Sequence, residues 1–159
     1  MLQIKIISFK NSPIPEIVSL ESDLLTRTKR FAKLDLIELN SSKFSKLPPA
    51  QLLLKEAEMI RKEISGADYL ITLTEFGKQF TSEQLAKWVS QRQTTGDSRL
   101  VLVLGSPYGL LPELRKEAKL ELSLSPLTFT AQFARLILIE QLYRCFAINN
   151  NLPYHKAGI

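Results

Sequence analysis

Four short segments in the last third of this 159-residue chain hold the residue types from which a ligand site can be built. They are Gly105-Ser106-Pro107-Tyr108-Gly109, Ser123-Leu124-Ser125-Pro126-Leu127-Thr128, Leu142-Tyr143-Arg144 and Pro153-Tyr154-His155. The first two read as irregular loops, each fed by an apolar strand and followed by a helical pattern. Loops of that kind offer backbone N–H and C=O groups and a few apolar walls, which suits the grip on a small cofactor. Arg144, Tyr154 and His155 add a cation, a phenol and an imidazole, a set able to stabilise developing negative charge and to assist a proton transfer. Each piece also has a plain structural reading. Glycines around a proline make turns, and Glu140 four residues before Arg144 is the favoured orientation for a helical ion pair worth about 0.2 to 0.5 kcal/mol.

Other chemistries are poorly served. The sequence has no G-x-G-x-x-G, no Walker loop and no C-x-x-C, and with one His and one Cys it makes no familiar metal site. No G-x-S-x-G elbow is present for a serine hydrolase. Cys145 cannot form an internal disulfide and no signal peptide opens the chain, so the cytoplasm is the expected compartment. The apolar stretches Leu100–Leu104 and Leu136–Ile139 are far shorter than the roughly 20 residues of a membrane span. Twenty-one Lys and Arg against sixteen Asp and Glu give a net charge of +5, which favours a polyanionic partner.

The elements that must position these segments follow from periodicity. Leu2–Phe9 alternates like a strand, and Pro15 opens a helix with Ile17, Leu20, Leu24 and Phe31 on one face. A strand is expected over Leu34–Leu39, then a polar loop with Lys43 and Lys46. A helix started by Pro48-Pro49 should bury Leu53, Ala57, Ile60 and Ile64 and end at Gly66. Tyr69–Leu73 reads as the third strand, and Thr81 with Gln84 as a capping box for a helix carrying Leu85, Trp88 and Val89. Arg99–Leu104 is nearly all apolar, hence central and parallel. A short helix from Pro112, a strand near Lys119–Leu122 and a long helix over Ala131–Asn150 complete one α/β domain, residues 1–159, with helices on both faces of the sheet.

Taken in order, these segments resemble the SPOUT class of RNA methyltransferases and, within it, the RlmH family, which methylates N3 of a pseudouridine in large-subunit ribosomal RNA. The resemblance rests on Leu73 with Gly77-Lys78, the Gly105 and Ser123 loops, Arg135, Glu140-Gln141-Leu142-Tyr143-Arg144 and Pro153-Tyr154-His155-Lys156. It implies a sheet closed by a C-terminal deep trefoil knot that binds S-adenosylmethionine. Carried over by position, the cofactor contacts fall on Leu73, Gly105, Ser106, Ser125, Pro126, Leu127, Thr128, Phe129 and Thr130. The resemblance also implies Arg144, Tyr154 and His155 around the target base, with Arg144 stabilising the charge as N3 loses its proton and His155 or a water assisting.

The chain departs from the family pattern at four places. Ser106 replaces a glycine, Tyr108 an acid, a residue near Ala131 a histidine, and Thr74 a frequent Asp. Ser106 thus adds a side chain where backbone should approach the cofactor. The apolar residues Phe133, Leu136, Ile137, Leu138, Ile139, Leu142, Cys145 and Phe146 cover more of the final helix than one core stripe needs. A homodimer through this helix is therefore expected, as the resemblance also implies, with the Tyr154–Lys156 tail completing the partner's site. The assembled ribosome is the expected partner, with no membrane and no metal. Two competing readings are a SPOUT enzyme acting on another RNA nucleotide and a non-catalytic nucleotide-binding scaffold.

Overall fold

A computed structural model describes residues 1–156 of the chain. Five strands, β1 (Leu2–Phe9), β2 (Ala32–Leu39), β3 (Tyr69–Gln79), β4 (Arg99–Val103) and β5 (Leu120–Ser123), form one sheet in the order β2-β1-β4-β3-β5. Every pairing is parallel. The connections are the helices α1 (Pro15–Thr28), α2 (Pro49–Lys62), α3 (Ser82–Thr94) and α4 (Pro112–Glu117), and the chain continues into α5 (Ala131–Asn149). A single 3-10 turn covers Ser42–Phe44.

Two apolar cores lie on opposite faces of the sheet, as a parallel sheet requires. Leu2, Ile4, Ile6, Leu100 and Leu102 meet Leu24 of α1, Leu85 and Val89 of α3, and Leu138, Leu142 and Phe146 of α5. On the other face Ile7, Val101 and Val103 meet Ala57 and Ile60 of α2 and Leu114 of α4. β4 occupies the centre of the sheet, as its apolar run predicts, and its Leu100–Val103 are at most 2% exposed.

The helix faces differ instructively from the periodic reading. In α1 the buried stripe is Ile17, Glu21, Leu24 and Thr28, whereas Leu20 is 54% exposed and Phe31 lies beyond the helix, stacked on Phe146. Glu21 displaces Leu20 because Arg135 of α5 grips its carboxylate through Nε (2.9 Å) and Nη2 (3.0 Å). Two charged-pair hydrogen bonds offset the desolvation that would otherwise exclude a glutamate from the core. In α2 the stripe is Leu52, Glu56, Ala57 and Ile60, leaving Leu53 half-buried, and the helix ends at Lys62, before Gly66. The capping box at Thr81 forms as read: Gln84 N donates to Thr81 Oγ1 (3.1 Å) while Thr81 N donates to Gln84 Oε1 (2.9 Å).

β3 runs six residues past its expected end. Leu73 and Lys78 are both matched with Leu122 of β5, so Thr74–Gly77 stand out of the ladder between two pairings. The close approach there explains Gly77: a Cβ on it would lie 2.7 Å from the backbone of Glu121.

Candidate active site

β4, β3 and β5 are neighbours, so the segments that follow Val103, Leu73 and Ser123 leave the same carboxyl edge of the sheet. That edge is where open α/β sheets bind ligands. The first segment is a tight turn in which Gly109 N donates to Ser106 O (2.8 Å) and Gly109 adopts a φ of 83°. Gly105 packs so closely that a Cβ would sit 2.5 Å from Gly109 O. In the third, Ser123 Oγ donates to Glu75 O (3.1 Å) or Ser125 O (3.0 Å), and Leu127 N donates to Ser125 Oγ (3.0 Å). Ser123 therefore ties the second and third segments together.

Of the expected cofactor contacts, Leu73, Gly105, Ser106 and Ser125 are half-buried, and Pro126, Leu127, Thr128, Phe129 and Thr130 are exposed. Leu127 at 70% and Phe129 at 40% present apolar surface without covering. Ser106 does not obstruct the edge as a side chain in place of glycine would suggest. Its hydroxyl is buried and unpartnered, turned toward Glu56 of α2. Glu56 itself is 2% exposed, and neither carboxylate oxygen has a hydrogen-bond partner. Burial pushes its carboxyl up.

Arg144, Tyr154 and His155 also come together. Glu140 Oε1 accepts from Arg144 Nε (3.0 Å) and Nη2 (2.5 Å) and from the Tyr154 hydroxyl (3.0 Å). The Arg144 guanidinium lies 4.8 Å from the Tyr154 ring centroid, and Tyr154 meets Tyr143 edge-on. Glu140 holds Arg144 above the usual guanidinium value, so it stays cationic, and burial with Glu140 pushes the Tyr154 phenol up, so it stays a donor. The ion pair expected from the spacing and the functional cluster are thus the same object. Cys145, by contrast, is buried and pushed up to about 12, which leaves it a packing thiol.

One member of this cluster went unseen in the sequence. Glu83 on the first turn of α3 lies 2.8 Å from His155 Nε2. No local spacing signals a contact between residues so far apart in the chain. Among the described residues no hydrogen bond or ion pair joins the Glu140–His155 cluster to the three loops. Arg144 stands about 20 Å along α5 from its first residue, at 1.5 Å of rise per residue.

A family model described as predicted SPOUT methyltransferase matches residues 2–155. The chain belongs to the RlmH family of SPOUT methyltransferases. Relatives bearing the name ribosomal RNA large subunit methyltransferase H include one from Phocaeicola vulgatus, 40% identical over 84% of this chain and 86% of its own length. One from Pelobacter propionicus is 40% identical over the same shares. A third, from Parabacteroides distasonis, is 46% identical over 69% of each chain. The RlmH-like sheet with helices on both faces agrees with the architecture expected from the sequence. No described helix is long and apolar enough to cross a membrane, and no group of three potential metal ligands occurs among the described residues.

Proposed function

We propose that this protein, acting as one domain over residues 1–159, methylates N3 of a pseudouridine in large-subunit ribosomal RNA within the assembled ribosome, using S-adenosylmethionine. The reading is carried by the three loops that leave adjacent strand ends in a chain aligned with the RlmH family over almost its whole length. The residues fit such a cofactor: exposed Leu127 and Phe129 offer apolar walls to an adenine, and the Gly105–Gly109 turn and Ser125–Thr130 offer backbone polar groups. The Ser106 hydroxyl is buried and so does not stand on the exposed surface of the turn, although Ser106 O and Gly109 N are already paired with each other. Leu73, Gly105, Ser106 and Ser125 through Thr130 would hold the cofactor, in a knotted arrangement of this carboxyl edge. When bound, S-adenosylmethionine supplies an electrophilic methyl group on a good leaving group.

The protein must then orient the base, exclude water and favour loss of the N3 proton. Arg144, permanently charged and aimed by Glu140, stabilises the negative charge that appears as that proton leaves. Tyr154, packed beneath the guanidinium, fixes its plane. Both ring nitrogens of His155 are engaged, which favours a water as proton acceptor over the imidazole.

The lack, among the described residues, of any hydrogen bond between the tail cluster and the three loops accords with a homodimer in which Tyr154–Lys156 of one copy serves the loops of the other. Exposed Phe133 (49%), with half-buried Leu136 and Ile137, gives α5 an apolar face that a second copy would cover, extended by exposed Phe129 of the preceding loop. Lys29, Arg30, Lys43, Lys46 and Lys116 form no ion pairs among the described residues and are offered for ribosomal phosphate. The cytoplasm, where ribosomes reside, is the proposed compartment.

Mass mapping of nucleotides in unmodified ribosomes treated with the protein and S-adenosylmethionine tests the reading. One added methyl on a large-subunit pseudouridine, lost with Arg144→Ala, is expected. Full methylation by Arg144→Ala would overturn the assigned role of the arginine, and no added methyl would overturn the reaction.

A further inference from the structure

The two contacts of His155 determine where its ring proton sits. Arg144 Nη1 lies 3.2 Å from His155 Nδ1, and His155 Nε2 lies 2.8 Å from Glu83 Oε1. A guanidinium only donates, so Nδ1 must present its lone pair. A carboxylate only accepts, so Nε2 must carry the hydrogen. Both requirements select the same neutral tautomer. A second proton, placed on Nδ1, would set N–H against N–H and break the contact with Arg144.

We infer that Glu83 is a positioning residue for the tail: by accepting from Nε2–H it fixes the His155 tautomer, so that the Nδ1 lone pair holds the outer side of the Arg144 guanidinium. Glu140 takes Nε and Nη2 of that guanidinium and His155 takes Nη1, so the cation is held from both sides. The backbone that carries Glu83 is fixed, since Thr81 and Gln84 cap the helix on which it sits. Its carboxylate is held below the usual range chiefly by the hydrogen bond from His155. With a side chain 52% exposed, Glu83 reaches the ring from the solvent side, while the imidazole is 17% exposed. The same pair ties the last described residues to the start of α3, alongside Ser82 Oγ donating to Gln141 Oε1 (2.7 Å).

The consequence for methyl transfer rests on the function proposed above; the tautomer does not. The chain contains one histidine, so a long-range proton–nitrogen correlation spectrum of the full chain without a polyhistidine tag reads this ring alone. At neutral pH the expected pattern is a protonated Nε2 and a bare Nδ1, retained in Glu83→Gln and replaced by a tautomer mixture in Glu83→Ala. An Nδ1–H ring in the unaltered protein, or an unchanged spectrum in Glu83→Ala, would overturn the inference. On ribosomes, Glu83→Ala should lower kcat on the order of tenfold to a hundredfold, comparable to losing the outer partner of a metal-bound imidazole. Cofactor Kd should stay unchanged and Glu83→Gln should restore the rate. A shifted tautomer with unchanged kcat would refute the positioning role, whereas an unaltered protein that methylates nothing would refute the proposed reaction and leave the tautomer to the spectrum.

Discussion

Replacing Glu56 by methionine should make the protein more stable, and more so at high pH. The side chain is 2% exposed, both oxygens lack partners, and burial raises its carboxyl above the ordinary value of 4.5. Methionine has similar length and volume, and position 56 shares its buried stripe with Leu52, Ala57 and Ile60. An unsatisfied buried polar group costs about 1 to 3 kcal/mol, and removing it with an apolar group of like shape recovers much of that. For a chain of this size each kcal/mol raises Tm by about 2 to 4 °C. The sign of the pH dependence follows from linkage. A raised acid binds more protons folded than unfolded, so its cost is absent below the unfolded value and grows as pH rises from 4.5 through the folded one. Urea unfolding of both proteins at pH 5 and pH 8 isolates this group, because the other titrations cancel in the difference. The methionine variant should gain stability at pH 8 and gain less at pH 5. A variant less stable at pH 8 would refute the reasoning, since it would mean that the carboxylate has a partner worth more than its burial costs.

Arg135→Met should cost about 3 to 5 kcal/mol in urea unfolding, because it leaves the Glu21 carboxylate buried without its guanidinium, and adding Glu21→Met should recover most of the loss. Gly105→Ala should weaken S-adenosylmethionine binding at least tenfold by calorimetry, since its Cβ would meet Gly109 O at 2.5 Å and open the turn; equal affinity would argue against this turn as part of the cofactor site. Sedimentation at micromolar concentration should give a dimer, converted toward monomer by Phe133→Glu on the exposed face of α5. Ribosome binding should weaken steeply with salt, each phosphate contact contributing about 0.7 to 0.9 to the log–log slope, and a flat response would exclude a phosphate surface.

Local signals made much of the fold legible. Alternation set β1, an unbroken apolar run set β4, and Thr81 with Gln84 set the start of α3, each within a few residues of the observed bounds. What escaped depends on distant partners. Glu21 and Glu56 look like solvent-facing residues until Arg135 or the underside of the Gly105 turn is placed beside them. Thr74–Gln79 has too little apolar alternation to announce a strand, and β3 continues through it because Lys78 and Gln79 pair again with Leu122 and Ser123 of β5. In the candidate site the loops were readable as motifs and Arg144, Tyr154 and His155 as a chemical set. Glu83 was not, because an exposed acid in the first turn of a helix is already explained by the helix dipole.

The double matching of Leu122 constrains how this edge of the sheet can change. Thr74, Glu75 and Phe76 are partly or fully open to solvent, so exchanging their side chains disturbs no core. Gly77 is different. Because Leu73 and Lys78 return to the same partner, a residue added among the exposed three lengthens the excursion and leaves both pairings in place, whereas a side chain at Gly77 would push Lys78 and Gln79 off β5 and draw Phe80 from its contact with Trp88. Variation in this segment is therefore open at its tip and closed where the strand rejoins its neighbour.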